Sequence, residues 1–347
     1  STPATILAAL AHAARRGLLF KGGAPLEDLA SIDCVAFDKT GTLTQGAATV
    51  VEVIAAEGST PEKVLSVAAA VEKLSEHHLA RAIVDEAHRR ELNPPRARGL
   101  QNSRGEGAVA EVEGHLVAVG RSSFVSGFEE LGTVGLTESV LQELDESGLT
   151  LVHVSGVDVC GVIGIDDTAR EDARTAIEKL EQTGIERTVL LTGDNLRVAE
   201  RVARQVGVSE FRADLMPEGK VHYLNELRAA GHSVAMVGDG VNDAPALASA
   251  QVGIAMGIAG TDVALETADL VLVRDRLEDL PYAIRLARRS LKVVRQNLAF
   301  ACAVIAILVV VTLIKGLALP IGVIGHEGST LLVVLNGLRL LRPLPPS

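Results

Sequence analysis

The sequence predicts an α/β protein: a doubly wound parallel sheet with an inserted α+β domain, followed by C-terminal transmembrane helices. Three observations carry that expectation. Between Ser31 and Asp275, short apolar runs alternate with helical patterns, as in a chain of strand–helix–strand units. A long stretch from about Gly46 to Leu151 interrupts the alternation with helix caps and a hairpin of its own. Toward the end the chain turns apolar and basic, and Leu298–Ile314 holds no charged residue.

The elements follow in order. Ser1–Ala14 is apolar and small-residued, with Arg15, Arg16 and Lys21 after it. It lacks an initiating Met and the basic-first order of a signal peptide, so it reads as the cytoplasmic end of a span in a fragment. Candidate strands are Cys34–Phe37, Thr188–Leu191, Ser233–Val237, Gly253–Ala255 and Leu270–Val273. Each is a continuous apolar run, which a strand buried on both faces requires. Helical patterns lie at Ala169–Gln182, Asn195–Val206, Pro217–Ala230 and Asp243–Ala250.

Inside the interruption, Thr60-Pro61-Glu62 places an N-cap before a proline at the first helical position. Ser75 caps a second helix, with Leu79, Ile83 and Ala87 on one face. Gly105-Glu106-Gly107 opens an alternating run to Val119 that turns at Gly114, a hairpin. Extended to Gly316, the Leu298 run approaches the roughly 20 residues that a membrane helix needs. Leu317–Leu341 reads as a second span, interrupted by Pro320, Gly322, Gly325 and Gly328. Basic residues before the first span and after the second put both ends in the cytoplasm, as a helical hairpin.

Charge separates the chain in the same way. From Arg285 onward eight cations face one carboxylate, a net +7, leaving −18 for the rest of a chain whose total is −11. An acidic body argues against nucleic acid, which selects a basic footprint. Hydrophobic residues at 48% exclude disorder. Three separated cysteines, Cys34, Cys160 and Cys302, make no disulfide framework and suit a reducing compartment. Cys302 fits a small packing residue better than a ligand.

Chemistry gathers behind the strands. Asp38-Lys39-Thr40-Gly41-Thr42-Leu43-Thr44 directly follows the first parallel strand, at the end where open α/β sheets bind ligands. An aspartate there, with glycine and hydroxyls after it, can present a carboxylate nucleophile to a phosphoryl group. Thr192-Gly193-Asp194 offers a hydroxyl and an amide for phosphoryl oxygens, and Lys220, at a helix start, offers a cation. Gly238-Asp239-Gly240-Val241-Asn242-Asp243 adds carboxylates of the kind that hold Mg²⁺ beside phosphate. Taken singly, Thr192 fits a turn and Lys220 a surface cation. Their order behind successive strands points to one site.

The Asp38–Thr44, Thr192–Asp194 and Gly238–Leu247 stretches resemble the phosphorylation domain of P-type ATPases, built on the haloacid-dehalogenase fold. The resemblance covers essentially the whole chain. It implies that ATP phosphorylates Asp38, and that Asp38, the Thr40 backbone and Asp239 hold Mg²⁺. It further implies that Thr192 and Lys220 bind the phosphoryl group, with Asp194, Asn242 and Asp243 in support. Ser75-Glu76-His77-His78-Leu79 resembles the Ser-Glu-His-Pro-Leu motif of the heavy-metal (type IB) branch, with His78 in the proline's place. Glu76 and His77, with the Gly-x-Gly of Gly105 and Gly107, are then expected at the nucleotide. Arg121 stands just after Gly120, where copper pumps often carry Asn.

An ionisable pair inside a span is functional by default. Imidazole with carboxylate favours a borderline or hard divalent ion over Cu(I). His326-Glu327-Gly328-Ser329-Thr330 resembles the His-Glu-Gly-Ser/Thr signature of the cobalt-type subgroup. That implies His326, Glu327, Ser329 and Thr330 as ligands of a transported Co²⁺, Zn²⁺, Fe²⁺ or Ni²⁺. The alternative is a His–Glu pair at a helix interruption near the interface.

The expected organisation is therefore 1–22 as a span end and linker, 23–46 with 152–280 as the phosphorylation domain, and 47–151 as the nucleotide-binding domain. Residues 281–296 form a basic juxtamembrane segment and 297–342 two transmembrane helices. The expected protein sits in the cell membrane as a multi-pass pump among lipids, with cytoplasmic catalytic domains using ATP and Mg²⁺ and no nucleic-acid partner. An actuator domain and earlier spans are expected before Ser1. A soluble haloacid-dehalogenase-type phosphohydrolase and a potassium-type P-type ATPase subunit are the alternatives.

Overall fold

The computed structural model describes residues 2–73, 75, 78–103, 105–128, 148–239, 243–257, 266–315 and 319–342. In chain order the elements are α1 (Thr2–Arg15), β1 (Leu18–Phe20), α2 (Gly23–Ser31), β2 (Cys34–Asp38), β3 (Thr44–Ala55), α3 (Pro61–Glu72) and α4 (His78–Arg89). Next come β4 (Ala97–Ser103), β5 (Gly107–Val112), β6 (His115–Gly120), α5 (Ser122–Val125), β7 (Thr150–Gly156), β8 (Val159–Ala169), α6 (Ala173–Gln182) and β9 (Arg187–Leu191). The chain continues with α7 (Leu196–Val206), β10 (Glu210–Arg212), α8 (Pro217–Ala229), β11 (Val234–Gly238), α9 (Ala244–Ser249), β12 (Val252–Met256) and β13 (Leu270–Leu272). It ends on α10 (Asp279–Lys315) and α11 (Leu319–Leu338). These elements fall into two compact units: Ser1–Leu43, Glu171–Gly193 and Val206–Ser347 in one, Thr44–Arg170 and Asp194–Gln205 in the other.

The first unit holds a sheet of order β1-β13-β12-β11-β2-β9-β10. Every pairing is parallel except that of the edge strand β1 with β13. The inner strands β2, β11 and β12 are buried along their whole length, which is why they read as unbroken apolar runs. Cys34, Ala36, Val189, Leu191, Val234 and Met236 pack against Leu224 and Leu227 of α8 and against Ala246 and Leu247 of α9. The alternate residues Val35 and Phe37 are equally buried, and α10 packs along both α2 and α6.

The second unit is an antiparallel sheet of order β3-β8-β7-β6-β5-β4. Val64, Leu65 and Ala68 of α3 and Ile83 of α4 share its core with Val117, Val119, Ile163 and Ile165. Thr60 caps α3 as expected: its hydroxyl accepts from the Lys63 N–H at 3.2 Å, and Pro61 opens the helix. Sequence reasoning placed residues from 152 onward with the parallel sheet, yet β7 and β8 lie here, β8 pairing with β3 from Thr44↔Ala169 to Ala55↔Gly161. Val159–Ile165 is apolar throughout, so its pattern does not distinguish a parallel from an antiparallel buried strand.

The basic segment and the apolar run after it lie on one helix, α10, unbroken from Asp279 to Lys315. Its first turns bury Leu280, Ala283, Ile284, Leu286 and Ala287, whereas Leu298, Ile305, Ile307, Leu313 and Ile314 are exposed. Among the described residues it is the one helix long and apolar enough to cross a membrane. The stretch after it was expected to be interrupted, but Leu319–Leu338 is one helix. Pro320 sits in its first turn, where a missing N–H costs nothing, and a Cβ at Gly325 would come within 3.1 Å of Leu308 of α10. Asn297 of α10 donates to Thr5 Oγ1 of α1 at 3.1 Å and to the Val333 carbonyl of α11 at 3.3 Å.

Candidate active site

Parallel strands bring their carboxyl ends to one edge of the first unit's sheet. β2 ends on Asp38, β9 leads into Thr192, and β11 passes through Gly238 into Asp239. Phe37 is level with Val237, and Asp38 with Leu191, so adjacent strands present these groups together. Lys220 occupies the first turn of α8, which Pro217 opens, and Asp243 immediately precedes α9.

The Lys220 ammonium donates to Asp38 Oδ1 and, at 2.7 Å, to Asp243 Oδ1. All three side chains are buried. Burial, reinforced by the neighbouring Asp243 charge, pushes the Asp38 carboxyl up to about 6 against the pull of Lys220. Asp243 is raised too, by burial first, with Lys220 opposing and Asp239 adding to the shift. For Lys220, burial alone would favour the neutral amine, but the two carboxylates outweigh it and hold the ammonium charged. A buried cation between two buried carboxylates leaves a net negative site that a further cation would complete.

The loop after Asp38 is shaped for close approach. Gly41 has φ +71, which only glycine adopts at little cost, and a Cβ there would lie 3.5 Å from the Asp239 Cβ. Thr40 is half-buried with extended backbone. Asp38, Asp239 and the Thr40 carbonyl are oxygen donors of the type Mg²⁺ takes when it also keeps water and a substrate phosphate. Thr192 is buried, its N–H donating to the Arg212 carbonyl and its carbonyl accepting from the Leu215 N–H, both at 3.0 Å.

Sequence reasoning passed over two members of the loop. Thr42 is fully buried and its hydroxyl has no hydrogen-bond partner among the described residues, a costly condition unless a further group meets it. Lys39 is also buried, and its charge acts on Asp38. The signal for both was their place in the same heptapeptide. Thr44, by contrast, donates at 2.5 Å to Asp167 Oδ2 and closes the turn into β3.

The remaining sequence-predicted residues are dispersed. Glu76, His77 and Asn242 lie outside the described residues. Asp194 is half-buried at the head of the 194–205 segment of the second unit. Gly105 has φ +80 with open space around it, whereas Gly107 faces Gly120 across the β5–β6 ladder. A Cβ on Gly107 would meet the Val119 carbonyl at 2.5 Å and the Phe124 ring at 2.6 Å. In α11, His326, Glu327 and Thr330 are exposed and Ser329 is buried. The Ser329 and Thr330 hydroxyls donate to the His326 carbonyl at 2.6 and 3.2 Å. His326 and Glu327 are adjacent on one helix, about 100° apart around its axis.

Comparisons with known proteins agree with this geometry. The family described as haloacid dehalogenase-like hydrolase matches residues 32–251. A zinc-transporting ATPase of Bacillus subtilis (strain 168) is 41% identical over 97% of this chain and 52% of its own length. A probable cobalt/nickel-exporting P-type ATPase of Mycobacterium bovis is 44% identical over 98% of this chain and 51% of its own. The crystal structure of a zinc-transporting PIB-type ATPase in the E2.Pi state superposes with a TM-score of 0.73 at 44% identity, over 98% of this chain and 55% of that one. The chain thus spans about half the length of the curated relatives it matches. With the strand-end aspartate, lysine and paired carboxylates in place, the chain belongs to the haloacid-dehalogenase-like hydrolase family, and its relatives within it are heavy-metal P-type ATPases.

Proposed function

We propose that this chain is the catalytic and ion-conducting part of an ATP-driven transporter of divalent transition metals. The observation that carries the reading is the buried Asp38–Lys220–Asp243 cluster at the strand ends. An ionised Asp38 oxygen attacks the γ-phosphorus of ATP. The bond from phosphorus to the bridging oxygen breaks, and ADP leaves with the electron pair. Lys220 and the Thr192 hydroxyl meet the transferred phosphoryl oxygens, and Asp243 holds Lys220 in line. Asp38, the Thr40 carbonyl and Asp239 would hold Mg²⁺, which would neutralise phosphate charge. Water then cleaves the acyl phosphate, restoring the Asp38 carboxylate and releasing inorganic phosphate.

In this reading the seven-stranded unit is the phosphorylation domain and the six-stranded unit binds nucleotide, with Gly105, Glu76 and His77 at the base. α10 and α11 cross the cell membrane and the catalytic units are cytoplasmic. His326, Glu327, Ser329 and Thr330 contribute imidazole, carboxylate and hydroxyl donors to a Co²⁺, Zn²⁺, Fe²⁺ or Ni²⁺ ion, completed by other helices. A soluble phosphohydrolase would share the Asp38 chemistry but gives no reason for the exposed apolar length of α10. A potassium-type subunit gives none for His326-Glu327.

The test is incubation of the full-length protein with γ-labelled ATP. Wild type is expected to take up an acid-stable, hydroxylamine-labile label, and Asp38→Asn to take up none. Persistent labelling of Asp38→Asn would refute the assignment.

A further inference from the structure

Arg288 stands on α10 about three turns before the apolar run and has no carboxylate partner among the described residues. Its guanidinium is directed instead at main-chain carbonyls. Nε donates to the Ala30 carbonyl at 3.3 Å, Nη2 to the Ile32 carbonyl at 2.9 Å, and Nη1 to the Thr183 carbonyl. These oxygens lie at the C-terminal ends of two helices, α2 and α6, where the last carbonyls lack intrahelical donors and the helix dipole favours a cation.

The α6 end shows how specific the arrangement is. Gly184, at φ +84, donates to the Glu181 carbonyl, and Ile185 donates to that of Leu180, closing a Schellman motif. That motif leaves the Thr183 carbonyl free to accept from Arg288. A Cβ on Gly184 would sit 3.5 Å from Nη1.

The chain continuity gives these contacts a consequence. Ile32 is followed by Asp33 and then β2, which delivers Asp38. Thr183 is followed within four residues by β9, which delivers Thr192. The two connectors also bond to each other, the Glu186 N–H donating to the Asp33 carbonyl at 2.8 Å. A single guanidinium near the start of α10 thus holds the roots of both strands that build the site. A guanidinium spreads five donors over three nitrogens and so reaches three separated oxygens, whereas an ammonium's three donors radiate from a single atom.

We infer that Arg288 is the positioning residue through which movement of α10 reaches Asp38 and Thr192, coupling metal occupancy to phosphorylation. The inference rests on the transport reading above. It is tested in the reconstituted full-length protein with Arg288→Gln and Arg288→Lys. Three readouts are compared with wild type: metal-stimulated ATPase, labelling of Asp38 by inorganic phosphate without metal, and thermal unfolding. Arg288→Gln is expected to lower Zn²⁺- or Co²⁺-stimulated turnover at least fivefold, while phosphate labelling, the KM for ATP and the unfolding temperature stay near wild type. Arg288→Lys, which keeps the charge and reaches fewer carbonyls, is expected to fall between them.

Full metal stimulation in Arg288→Gln would overturn the inference. So would an equal loss of phosphate labelling and stimulation in both variants, with a lowered unfolding temperature, since that is a structural role only. Absence of metal stimulation in wild type itself would instead overturn the transport reading on which it rests.

Discussion

The carboxylate proposed to attack phosphorus is held out of water, and Asp38 shows the cost. Burial and the Asp243 charge raise its carboxyl to about 6 from an ordinary 3.8, so folding disfavours the ionised form. At about 1.4 kcal/mol per unit this is on the order of 1–3 kcal/mol of stability given up for reactivity. The penalty is complete above pH about 6 and absent below about 3.8, because the folded chain binds the extra proton only between those values. Asp38→Asn is therefore expected to raise the unfolding temperature by several degrees at pH 7.5 without divalent cation, and the gain should vanish as pH falls toward 4. Thermal unfolding of both proteins across that range checks it; a less stable Asn variant at pH 7.5 would contradict the balance described for this cluster. Asp38 was legible because it follows an unbroken apolar strand, and Lys220 because Pro217 marks the helix start that carries it. The unpartnered hydroxyl of Thr42 was not, since partnering is a property of the packed loop. Nor did the sequence distinguish Thr44, which turns the chain, from the hydroxyls that face the site.

At the level of elements, the parallel strands could be read because burial on both faces leaves an unmistakable run, as in Val234–Gly238. The allegiance of β7 and β8 could not, because partner and direction are set by long-range pairing that composition does not encode. Gly107 carries the same lesson in reverse. The family resemblance implies a place for it beside the nucleotide, and the ladder pairs it with Gly120. The signal was present: the two glycines are placed symmetrically about the turn at Glu113-Gly114. Gly107→Ala is expected to destabilise the second unit by about 1–3 kcal/mol through overpacking, with Gly105→Ala costing about 1 kcal/mol for its left-handed backbone. Hydrogen exchange in β5 and β6 reports the difference. If Gly107→Ala left exchange unchanged and removed only ATP binding, nucleotide approach rather than the facing strand would explain this glycine.

Across the whole molecule, the sequence divides by charge and the structure by environment along the same line. The acidic share of −18 belongs to the residues before Arg285, and the +7 share to the two long helices and their basic flanks. The exposed apolar length was legible in Leu298–Ile314, but the continuity of α11 was not, because Pro320 and the glycines signal a break that first-turn placement and tight helix packing remove. That continuity sets the two proposed chemistries of one chain apart: phosphoryl transfer at the sheet edge, and ligand exchange at His326 of α11. Removing the imidazole should leave the first intact and abolish the second. In the full-length protein, His326→Ala is expected to retain labelling of Asp38 by inorganic phosphate within about twofold, while Co²⁺- or Zn²⁺-stimulated ATP hydrolysis falls to the unstimulated rate. A loss of tenfold or more is the scale expected when one ligand of a metal site is removed, since even outer-shell changes cost about 10–100-fold. Metal stimulation that survived the substitution would remove His326 from the ion's path, and loss of phosphate labelling with it would show that α11 supports the sheet edge rather than the ion.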